Sequence, residues 1–145
     1  RKTARDGGET AKAIAGQIEG TEAELIKSGS ADALAMAKRI KTARESFLQV
    51  VDFMAGNAST HPNDAFAGSL PYLMLAGNLM AGWQMARGLL VAQAKQASGE
   101  DAAFMTAKVV TARFYAEHIL SRVPGIRDSI VEGAASVTAM ALDDF

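Results

Sequence analysis

Apolar residues recur along this chain at intervals of three and four, the spacing that puts them on one side of an α-helix. From Glu9 to Lys27, the positions Ala11, Ile14, Ile18, Thr21 and Leu25 form one narrow stripe, with Lys12, Glu19 and Lys27 away from it. Gly7 and Gly8 precede this stretch and Ser28-Gly29-Ser30 follows, so a first helix starts and stops there. The second helix has Ser30 as its N-cap and Asp32 in its first turn. Its seam is Ala33, Met36, Ile40, Ala43, Phe47, Val50/Val51 and Met54, and Lys38, Lys41, Glu45, Gln49 and Asp52 take the opposite face. A turn is expected over Asn57 to Asn63, around His61-Pro62.

The third helix is predicted from Asp64 or Ser69 to Gln96, with Pro71 in its first turn or at a kink. No residue from Ala65 to Ala86 is charged. A helix apolar on nearly all sides is expected to be buried on nearly all sides. Gly77, Gly82 and Gly88, with Ala76, Ala81 and Ala86, would let another helix approach closely. Ser98-Gly99 breaks the chain and Glu100-Asp101 opens a fourth helix. Its inner face is read as Phe104, Ala107, Thr111, Phe114/Tyr115 and His118, with Arg113 and Glu117 paired on the outer face. Pro124-Gly125 is expected to end it. A shorter helix from Ile126 to Val131 and a last turn over Ser136 to Leu142 follow, before Asp143-Asp144-Phe145.

The expected architecture is all-α: one antiparallel bundle of four main helices with a short C-terminal helix, a single domain over residues 1–145. Composition agrees, because 49% of residues are hydrophobic but only 6% aromatic, and no stretch alternates as a strand does. A net charge of −1 argues against a general nucleic-acid or acidic-lipid binder. With no cysteine, disulfides, thiolate metal sites and a Cys nucleophile are excluded. The chain begins at Arg1 without an initiator Met, and no apolar segment follows the basic Arg1 to Arg5. The expectation is a piece of a longer protein, without a signal peptide and cytoplasmic.

The search for chemistry assigns no catalytic, cofactor-binding or metal-ligating residue. Di-metal bundles need Glu-x-x-His pairs, and here Glu117 is merely adjacent to His118, pointing about 100° away. No haem-attachment, phosphate-loop, dinucleotide or nucleophile-elbow pattern is present. His118 reads as a proton shuttle or, preferably, as a histidine partly buried between helices. His61 reads as exposed. Lys38-Arg39-Ile40-Lys41 with Arg44 reads as a solvated face rather than a nucleic-acid patch. Asn57-Ala58-Ser59 matches the glycosylation triplet, which is common by chance. For Ala65 to Ala86, a buried central helix is preferred over a membrane span, given Pro71, Asn78, Gln84 and Arg87. The sharper alternative is a helix that packs on another subunit or domain.

Several segments carry a resemblance. They are Thr106-Ala107-Lys108, the run Thr111-Ala112-Arg113-Phe114-Tyr115-Ala116-Glu117-His118-Ile119-Leu120, and Gly133-Ala134 with Ser136-Val137. Leu70-Pro71-Tyr72-Leu73, Gly82-Trp83, Arg1-Lys2 and Asp6-Gly7-Gly8 add to it. Together they resemble the C-terminal segment of the 3-methylmercaptopropionyl-CoA dehydrogenase-like subgroup of bacterial acyl-CoA dehydrogenases, over nearly the whole chain. The resemblance implies a parent flavoenzyme that binds FAD and oxidises an acyl-CoA to the 2,3-enoyl-CoA. It places the catalytic Glu in a Tyr-Glu-Gly-Thr-like motif upstream of Arg1, so no catalytic residue carries over and no activity is expected of this chain alone. The implied partners are the catalytic core of the parent chain and a second subunit, with no nucleic acid, metal or membrane span. Two roles stay open, packing on the core or a neighbouring subunit and walling the acyl-chain tunnel. A free-standing helical interaction module is the runner-up, and a self-contained enzyme comes third.

Overall fold

Turn and capping residues set the helix limits in the computed structural model, which describes residues 2–144. Arg1, part of the resemblance above, and Phe145, the expected close, lie outside the described residues. A short helix α1 (Lys2–Arg5) leads into α2 (Glu9–Ser28). Asp6 caps that entry, because the N–H groups of Gly8 and Thr10 donate to its carboxylate at 3.0 and 3.1 Å. Gly8 is required twice over: its φ is +87°, and a Cβ there would lie 2.5 Å from Val51 Cγ1. Ser30 then caps α3 (Ala31–Asn57), its Oγ accepting from Ala33 N at 3.1 Å and from Gln93 Nε2 at 2.7 Å.

Proline opens helices in this chain and does not close them. Pro62 begins α4 (Pro62–Ala67), and Pro71 is in the first turn of α5 (Ser69–Ala97), where a missing N–H is harmless. The expected turn over Asn57 to Asn63 therefore shrinks to residues 58–61. Helix α6 (Ala102–His118) ends before a 3-10 turn at Leu120–Arg122. Pro124, expected to end that helix, is instead in the first turn of α7 (Val123–Val131). Helix α8 (Ala134–Val137) and a 3-10 turn at Leu142–Asp144 replace the single last turn expected. No strand occurs among the described residues.

The long helices form the expected antiparallel bundle. Ion pairs Lys12–Asp52 and Glu22–Arg44 run α2 against α3. Gln96–Thr106 and Tyr115–Asn78 bonds run α5 against α6, and Gln93–Ser30 with the Phe47–Tyr72 stack runs α3 against α5. One continuous core joins them, with Ile18 and Leu25 of α2, Ile40 and Val50 of α3, and Leu79 and Leu89 of α5 fully enclosed. Val123 and Ile130 of α7 close it at one end.

The most enclosed of the long helices is α3, with eleven buried residues against six on α5. Lys38, Lys41, Glu45 and Asp52 of α3 share one solvent strip. Arg44 departs from that strip. The expectation of a solvated face holds for Lys38 and Lys41, but Arg44 is 8% exposed. Its Nε and Nη2 donate to Glu22 Oε2 at 3.2 and 3.1 Å, and Glu19 lies 3.3 Å from Nη2. A guanidinium can be buried at tolerable cost only with such partners.

Candidate interaction surface

Only one stripe of α5 is buried, formed by Leu75, Leu79, Gly82, Ala86, Leu89 and Ala92. The other side does not match the all-round burial expected of an uncharged helix. Leu70 is 69% exposed, Leu73 67%, Met74 56% and Val91 54%. The exposed Arg87, whose Nη1 donates to Gln84 Oε1 at 3.1 Å, flanks this bare stripe, which Gly77, Gln84 and Gly88 continue to Val91. At 1.5 Å per residue it extends about 32 Å.

The small residues of α5 serve two purposes. Gly82 faces the core, where a Cβ would come 2.7 Å from Leu120 Cδ2, so it allows the chain after α6 to pack closely. Around Gly77 and Gly88 no atom lies within 4 Å of the Cβ position, so they are shallow open pits in the outer stripe.

Helix α6 keeps Tyr115 of the predicted inner face against the core but turns the rest of that face outward. Val109, Ala112 and Ala116 point inward, while Phe104, Val110 and Phe114 are more than half exposed and Ala107, Thr111 and His118 are also outside. The small inward residues let α6 lie close to α5 and α3, which leaves no room inside for two phenyl rings. His118, expected to be partly buried between helices, is exposed and stacks on Phe114 with ring centroids 4.5 Å apart. His61 is exposed, as expected.

Polar contacts hold this outer face in place. Arg113 pairs with Glu117 one turn on, as predicted, and also reaches Asp32 Oδ1 at 3.2 Å and the Ala31 carbonyl at 3.3 Å. The hydrogen bond to Glu117 raises the Arg113 pKa above its usual value. Tyr115 O–H donates to the Asn78 carbonyl at 3.2 Å, and burial raises its phenol pKa. Sequence periodicity missed the Arg113–Asp32 and Arg44–Glu22 links, since their partners lie on other helices.

Two clefts adjoin this surface. A groove of about 600 Å³ between α5 and α6 is lined by Met85, Val91, Phe104 and Met105, with Lys108 Nζ 4.9 Å from the Phe104 ring centroid. A cleft of about 1090 Å³ lies between residues 2–11 and the facing parts of α3 and α5. Ile14, Phe47, Met54 and Met80 line it, and the Thr3 and Tyr72 hydroxyls share a hydrogen bond of 2.9 Å at its edge. Lys2, Arg5, Asp6, Thr10 and Ser69 also line the larger cleft. Among the described residues no three His, Cys, Asp or Glu side chains come together as a metal site.

The residues that carry the family resemblance have packing and capping roles. Gly82 makes room for Leu120, and Trp83 Nε1 donates to Thr21 Oγ1 at 2.8 Å. Tyr72 stacks on Phe47, and Asp6 caps α2. Gly133 passes so near the Ser129 carbonyl that a Cβ would be 2.6 Å from its oxygen.

Residues 10–141 match the family model described as acetyl-CoA dehydrogenase C-terminal like. The chain is 43% identical over 138 residues to 3-methylmercaptopropionyl-CoA dehydrogenase of Ruegeria pomeroyi, covering 90% of this chain and 23% of that protein. It is 28% identical over 146 residues to the broad-specificity linear acyl-CoA dehydrogenase FadE5 of Mycobacterium tuberculosis, covering 90% of this chain and 22% of that one. The chain thus spans less than a quarter of the length of either relative.

Proposed function

This chain belongs to the acetyl-CoA dehydrogenase C-terminal-like family, and on that premise we propose that it is the accessory helical domain of an FAD-dependent acyl-CoA dehydrogenase that packs on the parent's catalytic core. The observation that carries this reading is the asymmetry of coverage: 90% of this chain is matched by 23% of one relative and 22% of the other. Oxidation of an acyl-CoA to its enoyl form needs a base, the thioester and a hydride acceptor held together. FAD supplies the hydride acceptor when bound, and in this reading the parts that hold it lie outside this chain. The parent acts in the cytoplasm. Among the described residues no helix is long and apolar enough to cross a membrane.

The contact with the core is made by the outer face of α6. Phe104, Val110 and Phe114 are 51%, 63% and 56% exposed. Covering what remains bare of each would stabilise the docked arrangement by about 1–2 kcal/mol per side chain. Arg113, tied to Glu117 and Asp32, fixes that face relative to α3.

The test is the intact mass and visible spectrum of the natural full-length gene product, with an acyl-CoA oxidation assay. A chain several domains long, with flavin absorption bands and activity, supports the reading. A colourless product of this chain's own size, inert towards acyl-CoA, overturns it and leaves a helical interaction module.

A further inference from the structure

The bare stripe of α5 is complementary to itself. Leu70, Gly77, Gln84 and Val91 recur every seventh residue, as do Met74, Ala81 and Gly88 beside them. Two rows of that period form the seam along which two helices stay in contact, at a shallow crossing angle of about 20°. The bulk along this seam is uneven. Leu70 and Leu73 project at the start, and Gly88 is a pit near the end.

Reversing one copy against another about a two-fold axis between Met80 and Ala81 matches these shapes. The axis that sets Leu73 of one copy over Gly88 of the other also sets Gln84 over Gly77 and Leu70 beside Val91. Leu70, Leu73 and Gln84 then each meet a pit or an apolar neighbour. Arg87 flanks the seam, and the two-fold sets it opposite Met74 and about 20 Å along the axis from Arg87 of the other copy, so no like charges are brought together. We propose that α5 pairs antiparallel with α5 of a second copy of this chain, and that this pairing is the self-association surface of the domain.

Area agrees with a second copy as the occupant. Leu70, Leu73, Met74 and Val91 are each more than half exposed. Pairing two such stripes of about 32 Å buries on the order of 1,200 Å² in total, the lower end of the range for specific interfaces. The pairing uses the face of α5 and borders the outer face of α6 at Phe104, which lines one groove with Gly88 and Val91, while Val110 and Phe114 stay outside that groove. It therefore goes beyond the dehydrogenase reading and does not depend on it.

Two experiments test it, first on this chain, whose core closes within its own helices, and then on the full-length gene product. The chain has no cysteine, so the double variant Leu73→Cys/Gly88→Cys reports directly. Within one α5 these positions are about 22 Å apart, far beyond disulfide reach of about 7 Å, so any bond between them joins two copies. Mild oxidation is expected to give a covalent dimer whose linked peptides pair 73 with 88. Links of 73 to 73 or 88 to 88, or no dimer, overturn the proposal. Links in the isolated chain that vanish in the full-length product also overturn it, because the parent's core then covers the stripe.

The second experiment exchanges projection and pit. Gly88→Leu fills a position with no atom within 4 Å, so the fold tolerates it, but it should clash with Leu73 of the other copy. Sedimentation equilibrium should show a dimer for the parent chain, a dissociation constant raised at least about tenfold by Gly88→Leu, and recovery in Leu73→Ala/Gly88→Leu. The measurement runs up to about 100 μM protein, which covers the weak association found at the lower end of interface size. A parent chain still monomeric at that concentration, or a double variant no tighter than Gly88→Leu alone, refutes the pairing.

Discussion

Replacing Glu22 by leucine removes the carboxylate that holds Arg44 inside the α2–α3 contact. Both Arg44 donors reach one oxygen of Glu22, at 3.2 and 3.1 Å. The two side chains are 10% and 9% exposed, so water cannot replace what is lost. Breaking a buried pair by removing one partner costs about 3–5 kcal/mol. Glu19 remains 3.3 Å away, but its side chain is 64% exposed and screened, so it offsets only part of the loss. The expected net loss is about 2–4 kcal/mol, a fall in Tm of about 6–12 °C for a chain of this size. Urea unfolding followed by far-UV circular dichroism and Trp83 fluorescence should show the midpoint falling by about 1–2 M with an unchanged slope. The double variant Glu22→Leu/Arg44→Met should recover most of the loss, because apolar groups of similar volume need no partner. A single variant that loses less than about 1 kcal/mol, or a double variant as unstable as the single, refutes the view that Arg44 is a buried, partner-dependent charge.

Four further outcomes follow from the same structure. Gly82→Ala should cost about 1–3 kcal/mol in urea unfolding, since its Cβ would press on Leu120. Gly16→Ala, on an open face of α2, should stabilise by about 0.8–1 kcal/mol. The Thr10 hydrogen bonds hold the folded Asp6 carboxyl below the ordinary aspartate value of 3.8. Its contribution is therefore present above pH 3.8 and lost as pH falls through the folded value; an NMR titration of Asp6 should move up in Thr10→Ala. Tyr115 has a phenol pKa raised above 10.0 by burial, so its neutral form favours the fold and stability falls once pH passes the unfolded value of 10.0. Ultraviolet titration of the parent against Tyr115→Phe should assign a phenol with a midpoint above 10.0 to Tyr115.

Helix α3 was legible from the chain because Lys38, Lys41, Glu45, Gln49 and Asp52 mark its outside. Helix α6 was not. Phe104, Ala107, Val110 and Phe114 make as good an apolar stripe as Met105, Val109, Ala112 and Ala116 on the opposite side. Periodicity cannot choose between two such stripes; close packing does, and it takes the smaller residues inward. Helix α5 presented the same ambiguity in stronger form, since the stretch without charge, Ala65 to Ala86, marks neither a buried nor a bare side. The Arg44–Glu22 pair escaped for another reason, because its partners are joined by the register of two antiparallel helices and not by spacing within one. The interaction surface was legible only as an excess of apolar residues. Its shape depended on which of them the core used.

The seating of α7 on α3 has a consequence for how the chain assembles. Helices α2 and α3 meet across the short Gly29-Ser30 link, and α5 and α6 across residues 98–101, so each hairpin closes at small cost in loop entropy. Val123 and Ile130 must instead reach a helix that ended at Asn57. Contacts of such long sequence separation slow folding and form late. They also give a region that opens before the rest. Amide exchange should therefore run faster in α7 and α8 than in the middle of α3. In a polypeptide emerging from the ribosome, the α2–α3 hairpin is complete well before the element that closes the core onto α3 is made.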